Sequence, residues 1–341
     1  MTQISELFRN GLKLFLSALI SCICIFAVLR QVPFQELRVS LRIIDWTSIL
    51  LGLASLSIGY SIRIFRWRYT LTKMNAKVTF GRCVTPFLGS IAMNNLLPFR
   101  VGDGVRAFVY PKRMKIRTSI GMSSLLIEKI LDLCVLAVFL AVGIFTHGTF
   151  QIPLYVFIAL SFLTFLSLAL ILMLFLIQKK AVRIFLLPKQ NLDRKAAGRL
   201  SGLVINVAED SRLLFNAKTI FVMTSLSFVV WICESGLYYF VLQGYGLSPT
   251  PVDAVFVSSV ISISTMVPSL PGYIGPFQAA AFLSISILGG EKVIGVSFAL
   301  IAHLSLWLPT TLIGLIAIGS DYDLFRRAGQ KVAAIKVELK K

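Results

Sequence analysis

Glu128, Lys129 and Asp132 stand together in the apolar segment 119–145, and Glu234 stands alone in another, 219–242. A charge at the centre of a membrane helix costs about 2.5–3.5 kcal/mol on insertion scales, so such residues mark a headgroup site, a proton site or an ion pair. Glu128 and Asp132 are four apart and share a helix face, while Lys129 and Asp132 are three apart and can neutralise each other. Two readings follow, and both can hold together. One is a polar site facing a cavity; the other is a Lys129–Asp132 pair with Glu128 held by Arg100 or Arg106. Glu234 reads as a proton carrier or as a protonated hydrogen-bond donor.

The remaining candidates lie in two hydrophobic stretches interrupted by proline and glycine. The first, VTPFLGSIAMNNLLPFRVGDGVRAF (84–108), carries Asn94, Asn95, Pro98, Arg100, Gly102, Asp103 and Arg106. The second, 251–288, carries Pro268, Pro271, Gly272, Gly275 and Gln278. Broken backbone in lipid costs several kcal/mol per unsatisfied group unless protein or water covers it, so these segments imply a polar cavity. A half-helix starting near Gly102 or Gly275 offers free N–H groups and a positive dipole end to an anion such as a phosphate. Arg100 and Arg106 would attract that phosphate. Asn94, Asn95, Ser258, Ser259, Ser262, Ser264 and Thr265 would add neutral hydrogen bonds.

These residues are embedded in a chain of 341 residues that is 57% hydrophobic and 14% charged, with a mean hydropathy of +0.84. Soluble domains run at about 45–50% apolar and about 25% charged, so this is an integral membrane protein. The formal charge of +19 would suggest nucleic acid on a soluble chain; here no nucleic-acid partner is expected, and the question is where the charges sit along the membrane. Five cysteines, mostly inside apolar runs, read as small hydrophobes. His147 and His303 lack metal-binding spacing, and no nucleotide fingerprint or nucleophile elbow occurs, so neither metal nor cofactor is expected.

A crossing helix needs roughly 20 apolar residues. Six stretches qualify: 11–29, 45–64, 119–145, 153–177, 219–242 and 293–319. Six basic residues lie in 63–83 and six more in 99–118, so both flanks of the first broken region are cytoplasmic and it must enter and leave on one side as a re-entrant hairpin (84–112). The connections 146–152 and 243–250 contain no Lys or Arg, which puts the second hairpin (251–289) on the opposite side. The loop 178–218, with nine basic residues and apolar residues at helical spacing, reads as an amphipathic helix on an anionic lipid surface. The basic tail 320–341 is cytoplasmic. In all, 29 of the 34 basic residues fall in cytoplasmic segments, with Arg66, Trp67 and Arg68 read as an interfacial anchor. The expected fold is all-α and polytopic, with six transmembrane helices, two re-entrant hairpins and both termini in the cytoplasm.

The two broken regions align without a gap, Met93 through Leu97-Pro98 to Val101-Gly102 against Met266 through Leu270-Pro271 to Ile274-Gly275, at an offset of 173. The same offset carries 45–64 onto 218–237 and 119–145 onto 292–318. A helix–hairpin–helix unit thus occurs twice, in 45–145 and 219–319, with opposite orientation. Inverted-topology repeats of this kind recur in secondary transporters, whose discontinuous helices meet at the substrate site.

Four motifs in this order resemble the flippase-like membrane domain of the lysylphosphatidylglycerol synthase family over residues 10–320. They are Arg63-x-x-Arg66-Trp67; Pro98-x-Arg100-x-Gly102-Asp103-x-x-Arg106; Glu128-Lys129-x-x-Asp132; and Pro268-x-x-Pro271-Gly272-x-x-Gly275-x-x-Gln278. The family usually has Glu for Asp103, Arg for Lys129 and often Glu for Gln278. The resemblance implies a bacterial inner-membrane protein. In aminoacyl-lipid enzymes a synthase domain follows, whereas this sequence stops at Lys341, so it is not expected to aminoacylate a lipid by itself. Gln278 also removes a carboxylate that could answer a cationic headgroup.

The leading expectation is a lipid flippase without ATP chemistry, moving a polar or phosphate-bearing headgroup between leaflets, with Glu128 and Asp132 balancing charge or relaying protons. The alternatives are a polyprenyl-phosphate-dependent glycosyltransferase, using Asp103, Glu128 or Asp132 as base or metal ligand, and a non-transporting partner of a separate lipid-modifying synthase.

Overall fold

A computed structural model describes residues 22–28, 30–147, 209–266 and 270–320, together with 19, 202, 203, 206 and 207. The expected spans 11–29 (apart from a helical stretch at 22–28) and 153–177, most of the 178–218 loop, Pro268 and all but the first residue of the tail 320–341 lie outside the described residues. Every regular element described is helical: α1 (Phe34–Ser40), α2 (Trp46–Lys73), α3 (Phe80–Leu96), α4 (Val101–Phe108), α5 (Tyr110–Arg113), α6 (Thr118–His147), α7 (Ala217–Gly244), α8 (Pro251–Ser264), α9 (Pro276–Ile287) and α10 (Lys292–Gly319). Among these, α2, α7 and α10, each of 28 residues, are long and apolar enough to cross a membrane. α6 is longer still, at 30 residues, but has Glu128, Lys129 and Asp132 in its middle.

The helices start where the local chemistry permits. Asp45 caps α2 by accepting from the Thr47 and Ser48 amides, both at 3.0 Å, and from their hydroxyls. Those bonds, the Thr47 hydroxyl's foremost, hold its carboxyl down to about 2. Thr250 and Asp253 close a capping box around α8, with Pro251 in the first turn where its missing N–H costs nothing.

The two breaks have equally local causes. Leu97 precedes a proline and is pushed to extended backbone (φ −112°, ψ 145°); Phe99 and Arg100 then turn left-handed at φ 61° and 52°. In the second break Leu270 is extended before Pro271, and Gly272, Tyr273 and Gly275 take φ of 77°, 61° and 103°. The half-helices resume at Val101 and Pro276, within a residue of the expected Gly102 and Gly275.

α2 and α7 pack antiparallel along their whole length. The Asp45 amide donates to the Gly244 carbonyl at one end, the Ser55 hydroxyl to the Cys233 carbonyl in the middle, and Thr70 touches Met223 at the other. Small residues permit the approach: a Cβ on Gly52 would lie 3.1 Å from the Leu237 side chain. The other pairings are reciprocal. α3 packs on α4 and on α10, and α8 packs on α9 and on α6; α4 lies against α6, and α9 against α10. The largest apolar core joins α2, α6, α7, α8, α9 and α10, and a second surrounds Trp67, Phe87 and Met74. Phe145, Phe221 and Ile316 point outward at 72–85% exposure, as lipid-facing side chains do.

Candidate functional site

Arg63 and Arg66 are three residues apart on α2 and so face the same way. Arg66 grips Asp132 of α6 with both ends of its fork, at 2.5 and 3.2 Å, and donates to Ser227 of α7 at 2.6 Å. Arg63 pairs with Glu234 of α7, stands 3.8 Å from Asp132 and lies 4.6 Å from the centroid of the Trp231 ring. The planar fork suits this bidentate, ring-stacked role better than a lysine would. Four charges from three helices thereby neutralise one another inside the bundle.

This lattice corrects three expectations. Glu234 is not a lone acid; its partner sits 171 positions earlier, on a stretch expected to be a cytoplasmic loop but helical here, since α2 runs on to Lys73. Arg66 and Trp67 are not an interfacial anchor: each is 2% exposed, and the Trp67 indole donates to the Ser124 hydroxyl. Lys129 does not pair with Asp132, which α2 has taken; its Nζ lies 3.2 Å from Asp103 Oδ2.

Of the two partners considered for Glu128, the structure uses Arg106, at 2.6 Å. Arg106 is 2% exposed, with its guanidinium 4.6 Å from the centroid of the Phe87 ring and 5.4 Å from that of Trp67. So encased, it fastens the short α4 to α6 and is withdrawn from any ligand, contrary to the expected phosphate contact. Asp103 and Asn94 exchange two hydrogen bonds: the Asn94 amide donates to the carboxylate and the Asp103 N–H donates to Asn94 Oδ1, both at 3.1 Å. Asn95 donates to Thr310 and Thr311 of α10 at 3.0 and 2.9 Å.

The second break is held by a chain whose proton positions follow from chemistry. The Gly275 N–H donates to Gln278 Oε1 at 2.7 Å; Gln278 Nε2 lies 2.7 Å from His303 Nδ1, and His303 Nε2 lies 2.7 Å from the Gly272 carbonyl. A carbonyl only accepts, so Nε2 carries the proton and Nδ1 accepts from the Gln278 amide. Gln278 therefore fits a neutral imidazole. One N–H group at each half-helix start is met from within the protein, that of Asp103 by Asn94 and that of Gly275 by Gln278.

Between the breaks lies a cavity of about 160 Å³. Asn94, Asn95, Arg100, Lys129, Asp132 and Glu234, all expected at the site, line it. Thr265 and Ser262, read as neutral donors, line it too. Arg63, Tyr60, Tyr273, His303 and Trp307 are further lining residues that were not among the expected site residues, although Arg63 opens the first of the four motifs. Pro98 and Pro271 face an adjoining space of about 250 Å³, and Gln278 faces an apolar one of about 430 Å³. Gly102, Asp103, Arg106, Glu128, Gly272 and Gly275 stand behind the walls. Arg63 had a readable signal: the Arg-x-x-Arg spacing puts it on one helix face with Arg66. His303 had none, because its role depends on which turn of α10 meets the break.

Chemically, the arrangement is a small polar-lined chamber inside an apolar bundle, most of its charges paired, with groups able to hydrogen-bond a polar group that lipid alone would reject. Three archaeal UPF0104 membrane proteins are similar to this chain. That of Pyrococcus horikoshii is 24% identical over 295 residues, covering 80% of this chain and 87% of the relative. That of Methanothermobacter thermautotrophicus is 22% identical, covering 88% and 93%. That of Methanocaldococcus jannaschii is 22% identical over 218 residues, covering 63% and 89%. Residues 14–314 match the family described as the lysylphosphatidylglycerol synthase TM region. With a match running through nearly all of the helical bundle that encloses the chamber, the chain is a membrane protein and belongs to the lysylphosphatidylglycerol synthase TM region family.

Proposed function

We propose that this protein moves the polar headgroup of a lipid between the leaflets of the plasma (inner) membrane. The observation that carries the reading is the polar cavity enclosed between two broken helices in an otherwise apolar bundle. A headgroup crossing lipid loses its hydration, and a chamber lined by Asn94, Asn95, Thr265, Arg100 and the Arg63–Glu234 pair returns hydrogen bonds to it. The acyl chains stay outside the polar chamber, and no nucleotide is consumed.

The proposed architecture has six crossings and two hairpins entering from opposite faces, with both termini cytoplasmic. The antiparallel packing of α2 on α7 supports it. These helices correspond at the 173-residue offset, and a two-fold axis lying in the membrane plane makes corresponding helices antiparallel. The reciprocal pairing of α3 with α10 and of α8 with α6 supports the same axis. In this arrangement the ion pairs are exchange partners as well as struts. A headgroup that engages Arg63 or Arg100 competes with Glu234 or the Thr265 carbonyl and loosens one wall at a time.

The test is reconstitution into liposomes with a labelled phospholipid or polyprenyl-phosphate lipid, following loss of the inner-leaflet label to an impermeant quencher. Scrambling faster than in protein-free vesicles is expected. Unchanged rates for both lipid classes would overturn the proposal.

A further inference from the structure

We infer that the lipid accepted here has an anionic phosphate headgroup, bound at Arg100, and lays one hydrocarbon chain in the apolar space behind His303 and Trp307. This rests on the transport reading for its membrane setting and names the substrate class that reading leaves open.

Charge pairing comes first. Arg63 is matched by Glu234, Arg66 by Asp132, Lys129 by Asp103 and Arg106 by Glu128. Arg100 lines the cavity and, among the described residues, has no carboxylate within ion-pair distance. It donates to the Thr265 carbonyl at 3.1 Å and lies 5.5 Å from the centroid of the Tyr273 ring. A carbonyl and a ring face stabilise a cation without cancelling its charge. The chamber therefore carries one positive charge in excess, inside an otherwise apolar bundle. A phosphate monoanion completes the pairing, whereas a cationic aminoacyl headgroup meets the surplus head-on.

Backbone geometry is the second observation. Phe99 and Arg100 are consecutive non-glycine residues in the left-handed region, which L-residues avoid. That conformation turns Arg100 out of the line of α4 and across to the second break, where its remaining N–H donors face the cavity. The third is the shape of the adjoining space. His303 and Trp307, one helical turn apart, form a wall common to the polar cavity and to the apolar space of about 430 Å³, which Val28 and Leu304 also line. Room for a charged head and room for a chain thus share one partition, as an amphiphile requires.

The experiment measures lipid retention on the purified full-length protein in detergent by native mass spectrometry. The probes are dioleoyl phosphatidylglycerol, dioleoyl phosphatidylcholine, lysyl-phosphatidylglycerol and, as a chainless control, glycerol 3-phosphate. Phosphatidylglycerol should bind about tenfold more tightly than the zwitterionic and cationic lipids, the worth of a charge-assisted hydrogen-bonded pair. Arg100→Gln should erase that preference and Arg100→Lys should keep most of it. Leu304→Trp should weaken all three lipids alike. Equal retention of the three lipids, a preference unaltered by Arg100→Gln, or glycerol 3-phosphate competing as well as the lipid would overturn the inference. Liposome scrambling that ignores headgroup charge and survives Arg100→Gln would remove this assignment and leave transport intact. Arg100-dependent lipid binding without scrambling would do the reverse.

Discussion

Asp132→Ala is expected to cost about 3–5 kcal/mol of folding stability, because it leaves a buried guanidinium without its counter-charge. Arg66 is 2% exposed and keeps only the Ser227 hydroxyl once the carboxylate is gone, while the Arg63 cation remains close by. The Arg66 guanidinium stays buried behind the cavity wall, and the neighbouring like charge adds repulsion. The double variant Arg66→Met/Asp132→Leu should recover much of the loss, since replacing both members of a buried pair with apolar side chains is often neutral or better. Thermal unfolding in detergent separates the cases. If the single and double variants are equally destabilised, Asp132 contributes something other than neutralising Arg66.

Gly102→Ala should be the next most damaging small change. A Cβ there would fall on the Ser90 carbonyl and lie 2.8 Å from Asn94 Oδ1, so α4 has to move away from α3. That movement breaks the bond from the Asp103 N–H to Asn94 and slackens the link from Asp103 to Lys129. Overpacking of this kind costs about 1–3 kcal/mol, and a backbone obstacle places this site at the upper end. Gly104, two residues on in the same helix, has nothing within 4 Å of its would-be Cβ. Gly104→Ala should therefore be neutral or stabilising by about 0.5–1 kcal/mol through helix propensity. Comparing the two unfolding midpoints distinguishes contact at Gly102 from a general intolerance of alanine in α4.

Both sites show what the sequence made readable. The breaks at Leu97-Pro98 and Leu270-Pro271 were legible because proline and left-handed glycine act on the backbone within a few residues. A shift of 173 residues carries α2 onto 219–246 and α6 onto 291–320, each within two residues of α7 and α10. Partner choice was not legible. Whether Asp132 goes to Lys129, three residues away, or to Arg66, sixty-six residues away, depends on the close seating of α2 against α7 and α6, which no local pattern encodes. Arg63 and Arg66 were counted with the cytoplasmic charges because hydropathy falls away before α2 ends. A helix that carries its own counter-ions for neighbouring helices looks, in sequence, like a helix that has stopped.

The central claim is a hydrated chamber between the two breaks, and water access tests it most directly. In a background where Cys22, Cys24, Cys83, Cys134 and Cys233 are replaced, single cysteines at Ser262, Thr265 and the outward-facing Leu304 can be challenged with a charged, impermeant thiol reagent and with a lipophilic one. Ser262 and Thr265 line the polar cavity, whereas Leu304 is 53% exposed on the apolar side of α10. Positions 262 and 265 are expected to react readily with the charged reagent and 304 only with the lipophilic one. Labelling of 262 and 265 by the lipophilic reagent alone would mean that no water enters between the broken helices, and the proposed headgroup path would be closed.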